Sequence, residues 1–159
     1  MRKVRDFLIV SVSTLFLFVF VHCSGNDLPV TPQKSLAKIS LLLTYLGDEN
    51  DSKKLELDFK YLRILVQDDA FFNTIYNYKQ KNYEMERFLI QNISDTTNEK
   101  AEATVEIRFK LKNSQNGFSS TISPMIYHFI MSKVQDTDHT IDSKSDYYWC
   151  IVKSSESGK

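Results

Sequence analysis

The hydrophobic positions of the chain fall into three regimes. Phe7 to Val21 is an apolar stretch interrupted only by Ser11, Ser13 and Thr14. From Thr31 to about residue 80 the apolar side chains recur at helical spacing. Beyond residue 86 they alternate with polar ones, as on half-buried strands. The clearest element lies in this last regime. Val105, Ile107, Phe109 and Leu111 alternate with Thr104, Glu106, Arg108, Lys110 and Lys112, which predicts one face on a core and one in water.

The helical regime divides into three. Thr31-Pro32 offers an N-cap and a proline at the first helical position, Leu36, Ile39, Leu43 and Leu46 follow at helical spacing, and Gly47 stands where a C-cap glycine belongs. Residues 54–66 read two ways. Leu55, Phe59, Leu62 and Val66 fit a helix face, whereas Leu55, Leu57, Phe59 and Tyr61 fit a strand. Lys, Glu and Leu favour the helix. Asp68-Asp69 caps a third helix over 69–80, with Phe72, Ile75 and Tyr76 as its apolar contacts.

Four strands come next. Residues 86–93 alternate with a break at Arg87-Phe88-Leu89 that suggests a bulge. The strand at 104–112 is joined by the Asn113–Gly117 turn to a third over 121–134, with Pro124 placing its start at an edge or bulge. Ile126, His128 and Ile130 share one face of it, and Met125, Tyr127, Phe129 and Met131 the other. A fourth strand spans 146–153, and the chain ends in a frayed tail at 155–159. Helices followed by consecutive strands predict an α+β domain over residues 31–154, its N-terminal helices packed on a curved four-stranded antiparallel sheet.

The opening stretch reads as an export signal. Arg2, Lys3 and Arg5 precede an apolar run at the upper length of a signal-peptide core and short of the roughly 20 apolar residues that span a bilayer. Residues 1–22 are the expected signal peptide and residues 23–30, with Pro29, a tether. The run ends in Val21-His22-Cys23-Ser24-Gly25, which resembles a bacterial lipoprotein signal. The resemblance implies that Cys23 carries a diacylglycerol and anchors the mature chain to the cell envelope. His22 stands where that family has a small residue. Plain cleavage and secretion without lipid is the alternative, and an uncleaved membrane anchor a further one.

Charge and cysteine count narrow the rest. The whole chain has 20 basic and 20 acidic residues. Loss of residues 1–22 removes Arg2, Lys3, Arg5 and Asp6, leaving 17 basic and 19 acidic residues and a net charge of −2. That balance argues against a nucleic-acid partner. Cys23 and Cys150 are the two cysteines, so with Cys23 lipidated or removed Cys150 has no partner within the chain, and a disulfide scaffold is excluded.

A second resemblance covers residues 31–153. Thr31-Pro32 through Leu46-Gly47-Asp48, an amphipathic segment, Ala103-Thr104-Val105-Glu106-Ile107 and the terminal Tyr148-Trp149-Cys150-Ile151-Val152 are similar to the small exported proteins of the nuclear-transport-factor-2-like superfamily, the cystatin-like cone. The resemblance implies a curved sheet wrapping helices around a pocket. Its members include isomerases, dehydratases and non-catalytic binding modules, and no residue here matches their catalytic motifs. The residues 136–146 make a longer loop than that pattern has.

Candidate chemistry is sparse. A small isomerase- or dehydratase-like enzyme would use a buried carboxylate or His128, the one histidine inside a predicted element, as general base, and His128 equally serves as an ordinary structural histidine. Asp136, Asp138, His139 and Asp142 are spaced like calcium ligands but lack the glycine and distal glutamate of that loop, so a solvated acidic turn is expected and no metal or cofactor. Tyr127, His128, Phe129, Tyr148 and Trp149 are the candidate pocket or interface residues, because strand-borne aromatics favour apolar pockets and partner surfaces. The expected function is a non-catalytic, exported binding protein, attached to the membrane through its N-terminal lipid and taking a small apolar ligand, a protein partner or a second copy through its cone or sheet face.

Overall fold

A computed structural model describes residues 29–48, 52–111, 122–137 and 146–157. The expected signal peptide, Cys23, the Asn113–Gly117 turn and most of the Asp136–Asp142 cluster lie outside the described residues. Three helices, α1 (Pro32–Asp48), α2 (Ser52–Leu65) and α3 (Asp69–Gln80), precede four strands, β1 (Tyr83–Asp95), β2 (Lys100–Leu111), β3 (Met125–Gln135) and β4 (Tyr147–Ser157). The strands form one antiparallel sheet in the order β1-β2-β3-β4. The α+β class expected from the pattern is the one found.

The helices begin where their caps dictate. The Thr31 hydroxyl accepts the Lys34 N–H at 3.2 Å, and Pro32 opens α1 where its missing N–H costs nothing. α1 runs one residue past Gly47 to Asp48. Residues 54–65 are helical, and Val66 leaves the helix to bridge Ile151: Leu57, which a strand would place beside Phe59, is 65% exposed while Leu62 and Leu65 are buried. Asp68 caps α3 by accepting the Phe71 N–H at 2.7 Å. The buried contacts of α3 are Phe71 and Ile75, with Phe72 half-buried, whereas Tyr76 turns outward. Asn82 ends the helical half with φ of 63°, a left-handed conformation that asparagine tolerates.

The core lies between the helices and one sheet face. Leu36, Ile39 and Leu43 of α1, Leu62 and Leu65 of α2 and Phe71 and Ile75 of α3 pack in one cluster with Val105, Ile107 and Phe109 of β2 and Tyr127, Phe129 and Met131 of β3. Phe71 is its hub, with its ring 4.9 Å from that of Tyr127 and 4.8 Å from that of Phe129. Such ring pairs contribute about 0.5–1.5 kcal/mol each beyond area burial.

Three register shifts shape the sheet. β1 is irregular at Glu86 and again at Gln91, and β4 between Ile151 and Lys153, where Val152 is the extra residue. Bulges bend and twist their strands, so the sheet curves around the helices. β1 is longer than the expected 86–93, and its irregularities flank the suspected break at 87–89. β4 corrects the expected tail. It continues to Ser157, with Ser154, Ser155, Glu156 and Ser157 opposite Phe129, His128, Tyr127 and Ile126. The polar Ser-Ser-Glu-Ser run resembles a tail only because few of its side chains meet the core.

The outer edge of β4 is closed by two other segments. The Trp149 N–H donates to the Pro29 carbonyl at 3.0 Å, so the end of the expected tether docks on the sheet. The α2–α3 link lies beside Ile151, whose carbonyl accepts the Gln67 N–H at 2.8 Å and the Asp68 N–H at 3.3 Å.

Candidate functional site

Register sorts the candidate residues before chemistry does. Tyr127 and Phe129 lie on the helix-covered face and are buried. His128 lies between them in sequence but on the opposite, open face. Tyr148 and Trp149 are also buried, and the Trp149 carbonyl accepts the buried Ser35 hydroxyl at 2.8 Å. The five candidates therefore do not converge. Four belong to the packed interior, and His128 alone faces outward.

At one end of the inner face, phenols gather around a sulfur. The hydroxyls of Tyr78 and Tyr127 approach Met125 Sδ at 3.6 and 3.7 Å. Burial and then the Glu156 carboxylate push the Tyr127 phenol far above its ordinary range, and the same two causes raise Tyr78. Tyr78 also stacks on Phe109 at 4.5 Å. Both phenols stay protonated at any physiological pH, which suits donors in a packed corner and not proton acceptors. Cys150 is fully buried, and burial pushes its thiol up to about 12, so it behaves as a small apolar side chain.

The open face is where the outward side chains of all four strands meet solvent. Read across from β1 to β4, one row is Ser94, Glu102, Ile130, Lys153, the next Asn92, Thr104, His128, Ser155, and the third Leu89, Glu106, Ile126, Ser157. The first two rows line an open hollow of about 360 Å³. His128 Nδ1 lies 3.1 Å from the Thr104 hydroxyl. That contact orients the ring, which stays exposed to water. His128 thus lines the hollow with one polar partner, on the exposed side of the sheet.

Apolar side chains share this surface. Ile130, Leu89 and Val152 are each more than a third exposed, and Ile126 is half-buried. Below them the charges are arranged in pairs. Lys110 Nζ is 3.0 Å from Glu84 Oε1, Arg87 and Arg108 each approach Glu106 within 4 Å, and Arg108 also approaches Glu86. Exposed pairs of this kind contribute little stability individually. Among the described residues these pairs set basic and acidic groups side by side across β1 and β2.

Sequence reasoning missed Asp68 as more than a cap. Its carboxylate also accepts the Ser154 N–H at 2.9 Å and the Ser154 hydroxyl at 3.0 Å, tying the α2–α3 link to β4. No local signal announces this contact, which joins residues 86 positions apart. Among the described residues no group of three or more His, Cys, Asp and Glu side chains is placed to hold a metal ion, and no helix is long and apolar enough to cross a membrane. Three helices followed by a four-stranded meander is a general α+β arrangement, shared by many folds besides the cone superfamily. No protein-family model matches the chain, and no curated protein matches it.

Proposed function

We propose that the protein is an exported envelope protein, anchored by a lipid on Cys23, whose domain binds a protein partner through the open face of its sheet and does no chemistry of its own. The address rests on the sequence: a basic cap, an apolar run too short to favour spanning, and a cysteine followed by small polar residues. The binding role rests on one observation. Both faces of β3 are apolar, but helices cover only the side of Tyr127, Phe129 and Met131, leaving Ile126 and Ile130 outward around His128. A strand patterned for burial on both sides suits a second cover. Pro29 on β4 fits the same picture, because a tether fixed there sets how the domain hangs from its anchor.

The test is the mature N-terminus. Mass spectrometry of the chain expressed in a bacterial host should find Cys23 as the first residue, carrying a diacylglycerol and acyl chains, and Cys23→Ser should abolish incorporation of labelled fatty acid. A mature chain that begins after Cys23 without lipid would replace the anchor with plain secretion. A chain retaining Met1–Val21 would overturn the export reading itself.

A further inference from the structure

We propose that the open face of the sheet pairs with the same face of a second copy of this chain, about a two-fold axis running along β3. The inference rests on the reading of that face as a binding surface, and it names the partner.

The pattern of the face is self-complementary about β3. In the first row Glu102 on β2 and Lys153 on β4 flank Ile130. In the second, Thr104 and Ser155 flank His128. A two-fold axis parallel to β3, lying between two such faces, turns the β2 side of one copy over the β4 side of the other. Glu102 of each copy then meets Lys153 of the other, and each Thr104 hydroxyl meets a Ser155 hydroxyl. Ile126 and Ile130, on the axis, meet their own counterparts. The result is opposite charges on both flanks and, along the axis, isoleucine contacts on either side of two facing His128 rings. It is isologous, so it closes at two copies.

The geometry is that of ordinary sheet packing. The axis keeps the two β3 strands parallel, which suits aligned packing at a spacing of ~10 Å. A glutamate and a lysine reaching toward each other span such a gap. Strands ~4.8 Å apart make the three strands that overlap about this axis, β2, β3 and β4, roughly 14 Å wide, and ~3.4 Å of rise per residue makes their shared span, Ile126–Ser132, roughly 24 Å long. That is the centre of a small interface, below the ~800 Å² per partner of a standard one. A partner of one charge sign fits less well, because the lower charges of the face are already matched among Glu84, Lys110, Arg87, Glu106 and Arg108. Two copies each held to one membrane by an anchor would also meet at raised effective concentration.

Charge exchange supplies the test. Two differently tagged copies of the full chain, expressed together in a bacterial host and recovered from its detergent-solubilised membranes or medium, should co-purify. Both E102K and K153E lie at exposed positions, so each should leave the circular dichroism spectrum and melting temperature unchanged. Each places like charges together twice per pair of copies, and should lower the recovered partner roughly tenfold. Expressing the E102K chain together with the K153E chain should restore recovery, because both contacts are then again between opposite charges. A partner of another kind would show no such mutual rescue. As a second measurement, Ile130→Cys should be joined to its own counterpart by a short bis-maleimide, whose reach suits sheets ~10 Å apart where a direct disulfide does not, and the parent chain should not be joined. Absence of co-purification for the parent chain, no loss with either variant, failure of the mixture to recover, or no cross-link would each overturn the pairing. None of these bears on lipid attachment at Cys23, so the export reading stands or falls separately.

Discussion

Asp68 closes the link between α2 and α3 and holds three groups at once: the Phe71 N–H that starts α3, and the N–H and hydroxyl of Ser154 on β4. Its replacement by alanine removes a helix cap, worth about 1 kcal/mol. It also strands two donors that had a charged acceptor. Hydrogen bonds to charged groups contribute about 1.5–3 kcal/mol when well enclosed. Asp68 is only half-buried, so water replaces part of that, and about 1 kcal/mol for each Ser154 contact is the discounted figure. Asp68→Ala should therefore cost about 3 kcal/mol.

Denaturant unfolding followed by the fluorescence of Trp149, the chain's one tryptophan, reads this directly. The tryptophan is buried three residues from the Val152 irregularity, so it reports on the same corner. Asp68→Asn should recover only part of the loss. Its amide oxygen still caps Phe71, but its amide nitrogen turns a donor toward the Ser154 N–H. In a Ser154→Ala background the cost of Asp68→Ala should fall by about 1 kcal/mol, because the hydroxyl contact is already gone. If Asp68→Ala changes stability by less than about 0.5 kcal/mol, and the double-mutant cycle shows no coupling, the carboxylate does not hold β4.

Two further outcomes concern the interior. Cys150 in the native chain should resist alkylation at pH 8 and react promptly once the chain is unfolded, since its thiol is buried and raised to about 12 from an ordinary 9.0. The sign of the linked pH effect is set by that rise. Below pH 9 the thiol is protonated in both states, whereas above it the unfolded chain loses the proton that the fold retains, so stability should decline from about pH 9 upward. The raised phenols of Tyr127 and Tyr78 deepen the decline at higher pH, and ultraviolet titration should show Tyr127 ionising only as the fold is lost. Phe71→Ala should cost about 3–5 kcal/mol in the same unfolding assay, because the ring is buried against both Tyr127 and Phe129. A change under about 1 kcal/mol would mean the cavity collapses or the hub lies elsewhere.

Most of the fold was legible because its periods are clean. The alternation of Thr104–Lys112 assigned the two faces of β2 correctly, from Val105 inward to Arg108 outward. The same rule separated Ile126, His128 and Ile130 from Tyr127, Phe129 and Met131. Thr31-Pro32 and Asp68 marked helix starts because their capping is a local interaction. The features that escaped depend on distant partners. Ser154 to Ser157 carry no apolar pattern, and their strand is made by pairing with β3 and by the carboxylate of Asp68. The candidate pocket or interface residues lie apart for a related reason. Choosing Tyr127, His128 and Phe129 as neighbours in sequence gathers residues that a strand sends to opposite faces. Tyr148 and Trp149 suit a pocket, an interface or an ordinary core equally well by type, and the fold buries both.

The open face itself was invisible without the register, and the register hinges on Val152. With an uninterrupted ladder from Met131 and Ile151, Val152 would stand opposite Ile130 and Lys153 opposite Phe129. An ammonium group would then point at the aromatic core, which is costly without a partner. The extra residue at Val152 shifts the remainder of β4 by one position. Lys153 moves to the outer face beside Ile130, and Ser154 takes the inward place opposite Phe129, where Asp68 receives it. One irregularity thus protects the interior and also sets the lysine across from Glu102 on the open face. The clamp at Asp68 and the charge pattern of that face are two consequences of the same inserted residue. Loosening Asp68 should accordingly weaken both the stability of the domain and the pairing of its copies.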